Sequence, residues 1–323
     1  SGLTTTGATV IEGIDFLPHS VQFYRQQLQW LGGMGIIVLA VAILPILGVG
    51  GMQLYRAETP GPVKDNKMTP RIADTAKHLW YIYLSITIAC AGAYWLAGMS
   101  VFDAICHSFS TVAIGGFSNH DASLGYFNSP MVNVVCTVFL LIAALNFSLH
   151  YAAVSSRSVK GYFKDPEFKA FFIIQASLIG ICFLVLTLSG YYSSAEQALD
   201  QAMIQAVSIS TTAGFATTDF SVWPTFLPIM LIFSSFIGGC ASSTGGGLKV
   251  VRVCLLFLQG KREVDRLIHP KAVYSVKFGD RAMPDRVVEA VWGFFSAYAV
   301  VFVIIMIGLI ATGLDNLSAF TAT

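Results

Sequence analysis

The segment Thr211-Thr212-Ala213-Gly214-Phe215-Ala216 has two counterparts earlier in the chain, Thr4-Thr5-Thr6-Gly7-Ala8-Thr9 and Ala113-Ile114-Gly115-Gly116-Phe117-Ser118. Set on Gly7, Gly116 and Gly214, the three align without gaps as far as an acidic residue five positions on: Glu12, Asp121 and Asp219. The glycines stand 109 and 98 residues apart, so the chain carries a repeat of about a hundred residues. Each segment ends or interrupts an apolar stretch, and Ser, Thr and Gly dominate around it. Side chains this small leave backbone carbonyls free to line a narrow path. A ring of carbonyls can replace the water shell of a monovalent cation. The pattern predicts an ion pore.

Composition sets the class. Of 323 residues, 55% are hydrophobic and 11% charged, with a mean hydropathy of +0.68; soluble domains carry about 25% charged residues. Apolar runs fall at 28–47, 78–99, 131–154, 171–188, 226–257 and 291–311. Most reach the roughly 20 residues needed to cross a bilayer. Between them, 101–110, 196–210 and 314–323 are shorter and less apolar, and read as re-entrant half-helices. Each begins near a carboxylate (Asp103, Glu196 or Asp200, Asp315), and acids favour a helix N-terminus. The predicted fold is an all-α integral membrane protein built from repeated span, half-helix, loop and span units around one pore. Residues 1–55 hold the filter and second span of repeat 1, 56–165 form repeat 2, 166–288 form repeat 3 with a broken second span, and 289–323 start repeat 4. The chain reads as an internal fragment of a four-repeat protein.

Charge placement gives orientation. Sixteen of the 19 Lys and Arg lie in 56–77, 157–169 and 261–286, which the positive-inside rule makes cytoplasmic. The opposite side is acidic and includes Glu12, Asp121 and Asp219. An acidic outer mouth concentrates cations, although carboxylates at such positions also cap helices and solvate loops. Six scattered cysteines without paired spacing read as small buried hydrophobes.

A second stretch, Gly238-Gly239-Cys240-Ala241-Ser242-Ser243-Thr244-Gly245-Gly246-Gly247-Leu248-Lys249, interrupts the long run after the third glycine segment. Each glycine costs a helix about 1 kcal/mol relative to alanine, so five in ten residues predict a break. Irregular backbone at membrane depth survives only under protein cover or beside a watery cavity. The stretch from Gly238 to Gly247, with Lys249 after it, reads as a gate below the third loop. The plainer alternative is a flexible joint or a close-packing site. An intramembrane lysine also needs a partner or water.

These loops, together with the glycine-rich broken helix, resemble the Trk/Ktr/HKT superfamily of potassium transporters, here its bacterial branch. The resemblance covers essentially the whole chain, with several motifs in order. It implies backbone carbonyls at Thr5, Thr6, Ile114, Gly115, Thr212 and Ala213 coordinating potassium beside Gly7, Gly116 and Gly214. It also implies a homodimer in the bilayer of the bacterial cytoplasmic (inner) membrane, and a cytosolic nucleotide-binding TrkA-like subunit on the basic inner loops. Relatives with Ser at the first filter glycine admit sodium, so Gly7 favours potassium. An alternating-access cation-coupled transporter would predict inverted repeats, whereas these run in one orientation. A membrane-embedded enzyme would need a His/Asp/Glu constellation at span depth, and only His107 and His150 offer a start.

Overall fold

The computed structural model describes residues 1–38, 72–270, 272 and 274–323. Helices dominate: α1 (His19–Val38), α2 (Ile72–Leu96), α3 (Val101–Val112), α4 (Pro130–Ala143), α5 (Phe147–Ser156), α6 (Lys160–Lys164), α7 (Pro166–Leu188), α8 (Ala195–Ser210), α9 (Leu227–Ser235), α10 (Val250–Ile268), α11 (Asp285–Ala311) and α12 (Asn316–Ala322). One short antiparallel pair, β1 (Lys277–Phe278) with β2 (Arg281–Ala282), interrupts them. Three of the described helices contain segments long and apolar enough to cross a membrane: Ala76–Leu96, Pro166–Leu188 and Asp285–Ala311. The chain is an all-α membrane protein, as the apolar runs predict. It divides into two compact units at residues 250 and 251. The basic stretch from 56 to 71, and the end of the first apolar run beyond 38, lie outside the described residues.

The three short segments are half-helices with sequence-encoded starts. Ser100 caps α3 by accepting from the Asp103 amide at 3.0 Å and donates back to Asp103 Oδ2 at 2.7 Å, as a Ser-x-x-Asp pattern dictates. Ser194 caps α8 through the Gln197 amide at 3.2 Å, and Asp315 caps α12 through the Ser318 amide at 3.1 Å. Thus serines rather than the nearby acids cap the first two, while Asp315 is itself the cap. α3 packs between α2, α1 and α4; α8 packs between α7, α4 and α9. Along α8, Ala198, Ala202 and Ala206 meet Leu178, Cys182 and Leu186 of α7 and Leu227 and Leu231 of α9. Lipid tails are as apolar as leucine, so helices in a bilayer gain little from apolar burial. Small residues that permit close approach drive the association instead. All six cysteines are free, and five are fully buried.

The apolar run 131–154 differs from its reading as one span. It is two helices, α4 and α5, bent by 88° at residues 144–146. Asn146 caps α5 by accepting from the Ser148 amide at 2.8 Å. The backbone groups freed at the bend are taken up by the glycine-rich stretch: Cys240 N–H donates to Ala144 O at 2.8 Å, and Phe147 N–H donates to Ser242 O at 3.1 Å. The predicted break in 226–257 is present, with α9 ending at Ser235 and α10 starting at Val250.

Candidate functional site

All three glycine segments fold alike. Two residues before each glycine the backbone turns left-handed, at Thr5 (φ 53°), Ile114 (φ 52°) and Thr212 (φ 69°). The glycines are left-handed too: Gly7 (φ 74°), Gly116 (φ 75°) and Gly214 (φ 83°). The same two bonds recur. Thr6 N–H donates to Ser1 O and Thr5 N–H to Gly2 O; Gly115 N–H to Ser110 O and Ile114 N–H to Thr111 O; Ala213 N–H to Ser208 O and Thr212 N–H to Ile209 O, all between 2.8 and 3.1 Å. This paired 6→1 and 5→2 pattern is a Schellman helix end. Glycine normally fills its left-handed position, because a β-branched residue there is an outlier that stores about 1–3 kcal/mol. Three β-branched residues hold it here. Such strain persists only where the surroundings over-determine it, and it concentrates at functional sites.

The loops also converge. A Cβ on Gly7 would collide with Gly115 O, and one on Gly116 would collide with Ala213 O. Each of these glycines therefore faces the carbonyl oxygen of the residue preceding the glycine in the following loop. Glycine is required at both places, by φ and by lack of room. The half-helices α3 and α8 end directly at their loops, so their negative dipole ends favour a cation nearby.

The acids in phase with the glycines have unequal surroundings. Asp121 Oδ1 accepts from the Ile14 amide at 3.0 Å, joining the flanks of the first and second loops. Asp219 Oδ1 accepts from the Ser221 amide at 2.9 Å. Glu12 is exposed. Charge placement in the sequence puts Asp15 on this acidic side, but the sequence reading missed its partner His120. Asp15 Oδ1 meets His120 Nδ1 at 2.5 Å, and its Oδ2 accepts from the Asp121 amide at 3.1 Å. It also missed a row of glutamines on α1, Gln22, Gln26 and Gln29, all buried beside the second loop. Three glutamines on one helical face at the edge of an apolar run were the available signal. His107 bonds to Asp103 O and to Ser118 Oγ, both at 2.9 Å, so its ring holds α3 against the loop that follows.

The glycine-rich stretch lies against the second and third loops. Gly246 N–H donates to Thr212 Oγ1 at 2.7 Å. Thr244 Oγ1 donates to Val112 O at 3.0 Å and to Ala143 O at 3.3 Å. The buried Glu167 of α7 accepts from the Ala241 amide at 2.7 Å. Lys249 Nζ donates to Ser243 O at 3.4 Å and also to Gly245 O, so the ammonium is bound by the stretch's own carbonyls. Gly238 (φ 71°) and Gly247 (φ 75°) are left-handed and press on each other's backbone. Leu248 and Lys249 N–H groups return to Phe236 O and Ile237 O at 2.8 and 2.9 Å, closing the loop.

The chain resembles known proteins over its whole length. Residues 1–322 match the family model TrkH, a cation transport protein. The chain is 69% identical over 324 residues to the Trk system potassium uptake protein TrkH of Vibrio parahaemolyticus, covering all of this chain and 67% of that one. It is 63% identical to Escherichia coli K12 TrkH, again over all of this chain and 67% of the relative. It is 45% identical to E. coli TrkG, over 99% and 66%. The crystal structure of the potassium transporter TrkH from V. parahaemolyticus superposes with a TM-score of 0.89 and 64% identity, covering 99% of this chain and 65% of that chain. This chain therefore spans about two-thirds of its relatives' length. By the family match and these identities, the chain belongs to the TrkH family of cation transport proteins.

Proposed function

We propose that this chain forms part of a potassium uptake pore in the bacterial cytoplasmic membrane. Its filter is lined by backbone oxygens of Thr5, Thr6, Ile114, Gly115, Thr212 and Ala213, beside Gly7, Gly116 and Gly214. The observation that carries the proposal is the repetition of one strained backbone motif three times, twice at the ends of the half-helices α3 and α8, with Gly7 and Gly116 each set against the next loop's carbonyl. Alternating left- and right-handed residues turn successive carbonyls toward one side, which is how a chain presents a row of oxygens to an ion. The three relatives above are potassium uptake proteins of Trk systems, which points to the same cargo. Selectivity then rests on oxygens spaced to suit potassium while binding stays weak enough for exit.

The stretch Gly238–Gly247 with Lys249 serves in this reading as the gate. It touches Thr212 of the third loop and the last carbonyl of α3, and its lysine occupies carbonyls that could otherwise face a cation. The exposed Glu12, and Asp121 and Asp219 to the extent their hydrogen bonds leave them free, would draw cations to the mouth. A homodimer in the bilayer and a cytosolic nucleotide-binding TrkA-like subunit complete the assembly, the subunit docking on the basic segments.

Gly7→Ser tests the filter. A Cβ there meets Gly115 O and disfavours φ 74°, so the carbonyls on both loops must shift. The potassium-to-sodium permeability ratio, measured by flux into proteoliposomes with the full-length protein, should fall by about tenfold, or about 1.4 kcal/mol. An unchanged ratio in folded protein would remove these loops from the conduction path.

A further inference from the structure

The glutamine row on α1 is unused by the reading above, although it holds the second loop. Residues 22, 26 and 29 fall on one helix face, and Gln26 and Gln29 are 0% exposed. Gln29 spans the loop's glycine: its Nε2 donates to Gly115 O at 2.6 Å, and its Oε1 accepts from the Phe117 amide at 3.1 Å. Only this orientation of the amide satisfies both partners. A Cβ on Gly115 would strike the same amide, so the glycine and the glutamine require each other. The row continues outward. Gln26 Nε2 donates to Asn119 Oδ1 and Gln22 Nε2 to Asn119 O, both at 3.3 Å, and the Arg25 guanidinium lies 4.5 Å from the centre of the Phe117 ring.

The third loop is held differently. There Ser208, in its own half-helix, donates to Phe215 O at 2.7 Å. The equivalent of Ser208 in the second repeat is Ser110, whose hydroxyl turns back to His107 O at 3.2 Å. Two loops with the same backbone bonds therefore have different side-chain supports, one from within the repeat and one from the preceding repeat. The difference has a chemical consequence. A carbonyl that already accepts a 2.6 Å bond has one lone pair engaged and offers a cation less.

We propose that Gln29 is a positioning and specificity-determining residue for the second loop. It aims the Gly115 carbonyl and weakens it as a cation ligand, so this oxygen layer binds potassium less tightly than its neighbours and favours release. The proposal rests on the conduction reading given above.

The test uses the full-length protein in proteoliposomes, with Gln29→Leu, Gln29→Glu and Gly7→Ser compared with the parent. Gln29→Leu removes both bonds and should lower the potassium-to-sodium ratio by roughly fivefold. Gln29→Glu keeps the acceptor for Phe117 N–H but loses the donor to Gly115 O while ionised, and regains it as a protonated acid. Burial and the facing Gly115 oxygen favour the protonated acid, so its ratio should be parent-like at neutral pH and fall as the pH is raised through the ionisation of the acid, a loss that mere packing would not produce. If Gln29→Leu does not fold, this pH dependence decides alone. A parent-like ratio for Gln29→Leu, and for Gln29→Glu at every pH, with Gly7→Ser shifted, would overturn the clamp and leave the filter standing. No shift in any of the three would overturn both.

Discussion

Asp15 shows how a single exposed side chain is drawn into the architecture. It accepts from His120 Nδ1 at 2.5 Å and from the Asp121 amide at 3.1 Å, while Asp121 in turn accepts from the Ile14 amide. The bond to His120, followed by that to the Asp121 amide, holds the Asp15 carboxyl below the ordinary value of 3.8. A carboxylate whose folded-state pKa is depressed contributes stability that is fully present above its unfolded value and is lost as pH falls through the folded one. The window therefore opens near pH 4 and extends below it. Unfolding temperature measured against pH should fall more steeply below pH 4 in the parent than in Asp15→Asn. The variant should also unfold at a lower temperature near neutrality. Parallel curves for the two proteins would mean that the pairing contributes nothing to stability, as many surface ion pairs do not.

At the scale of elements, the glycine-rich stretch and the bend between α4 and α5 are one structural unit. Each supplies the backbone partners that the other lacks, through Cys240 to Ala144 and Phe147 to Ser242. The half-helices and the break after Ser235 were legible in the sequence, because length, capping residues and glycine act locally. The bend at 144–146 was not. Ala143, Ala144 and Leu145 carry no breaking signal, and the groups that make the bend affordable lie about a hundred residues away. For the same reason the glycines of the loops could be aligned by eye, whereas the left-handed Thr5, Ile114 and Thr212 and the supporting Gln29 emerge only from packing between repeats. Within the joined unit Thr244 is the most selective handle. Its hydroxyl alone reaches both Val112 O and Ala143 O. Thr244→Val keeps the shape and deletes the single O–H donor shared between those two carbonyls, worth about 1 kcal/mol net. Basal potassium flux should rise roughly fivefold at an unchanged potassium-to-sodium ratio. Unaltered basal flux in folded protein would make the stretch a joint or packing site, with gating elsewhere.

For the whole molecule, the charge distribution and the chain direction must agree on one orientation. The three glycine loops carry the acidic flanks, and sixteen of 19 basic residues lie in three segments away from them. Moving basic segments across a bilayer is disfavoured, so in the proposed orientation these face the cytoplasm. The short helix α6 and the start of α7 carry one such segment, with Lys160 and Lys164 exposed. Three residues beyond Lys164, the buried Glu167 binds the Ala241 amide of the glycine-rich stretch. A protein docked on these lysines would thus sit one side chain from the proposed gate, which is a physical route by which a cytosolic subunit could bias it. The arrangement requires Glu12 and Lys164 to face opposite compartments. Five of the six native cysteines are buried, so background reaction with a bulky thiol reagent is small. In intact cells a membrane-impermeant maleimide should label Glu12→Cys from outside and leave Lys164→Cys unmodified until the membrane is opened. Labelling of both sites from the same side would invalidate the orientation, and with it the placement of an acidic outer mouth and a basic inner docking face.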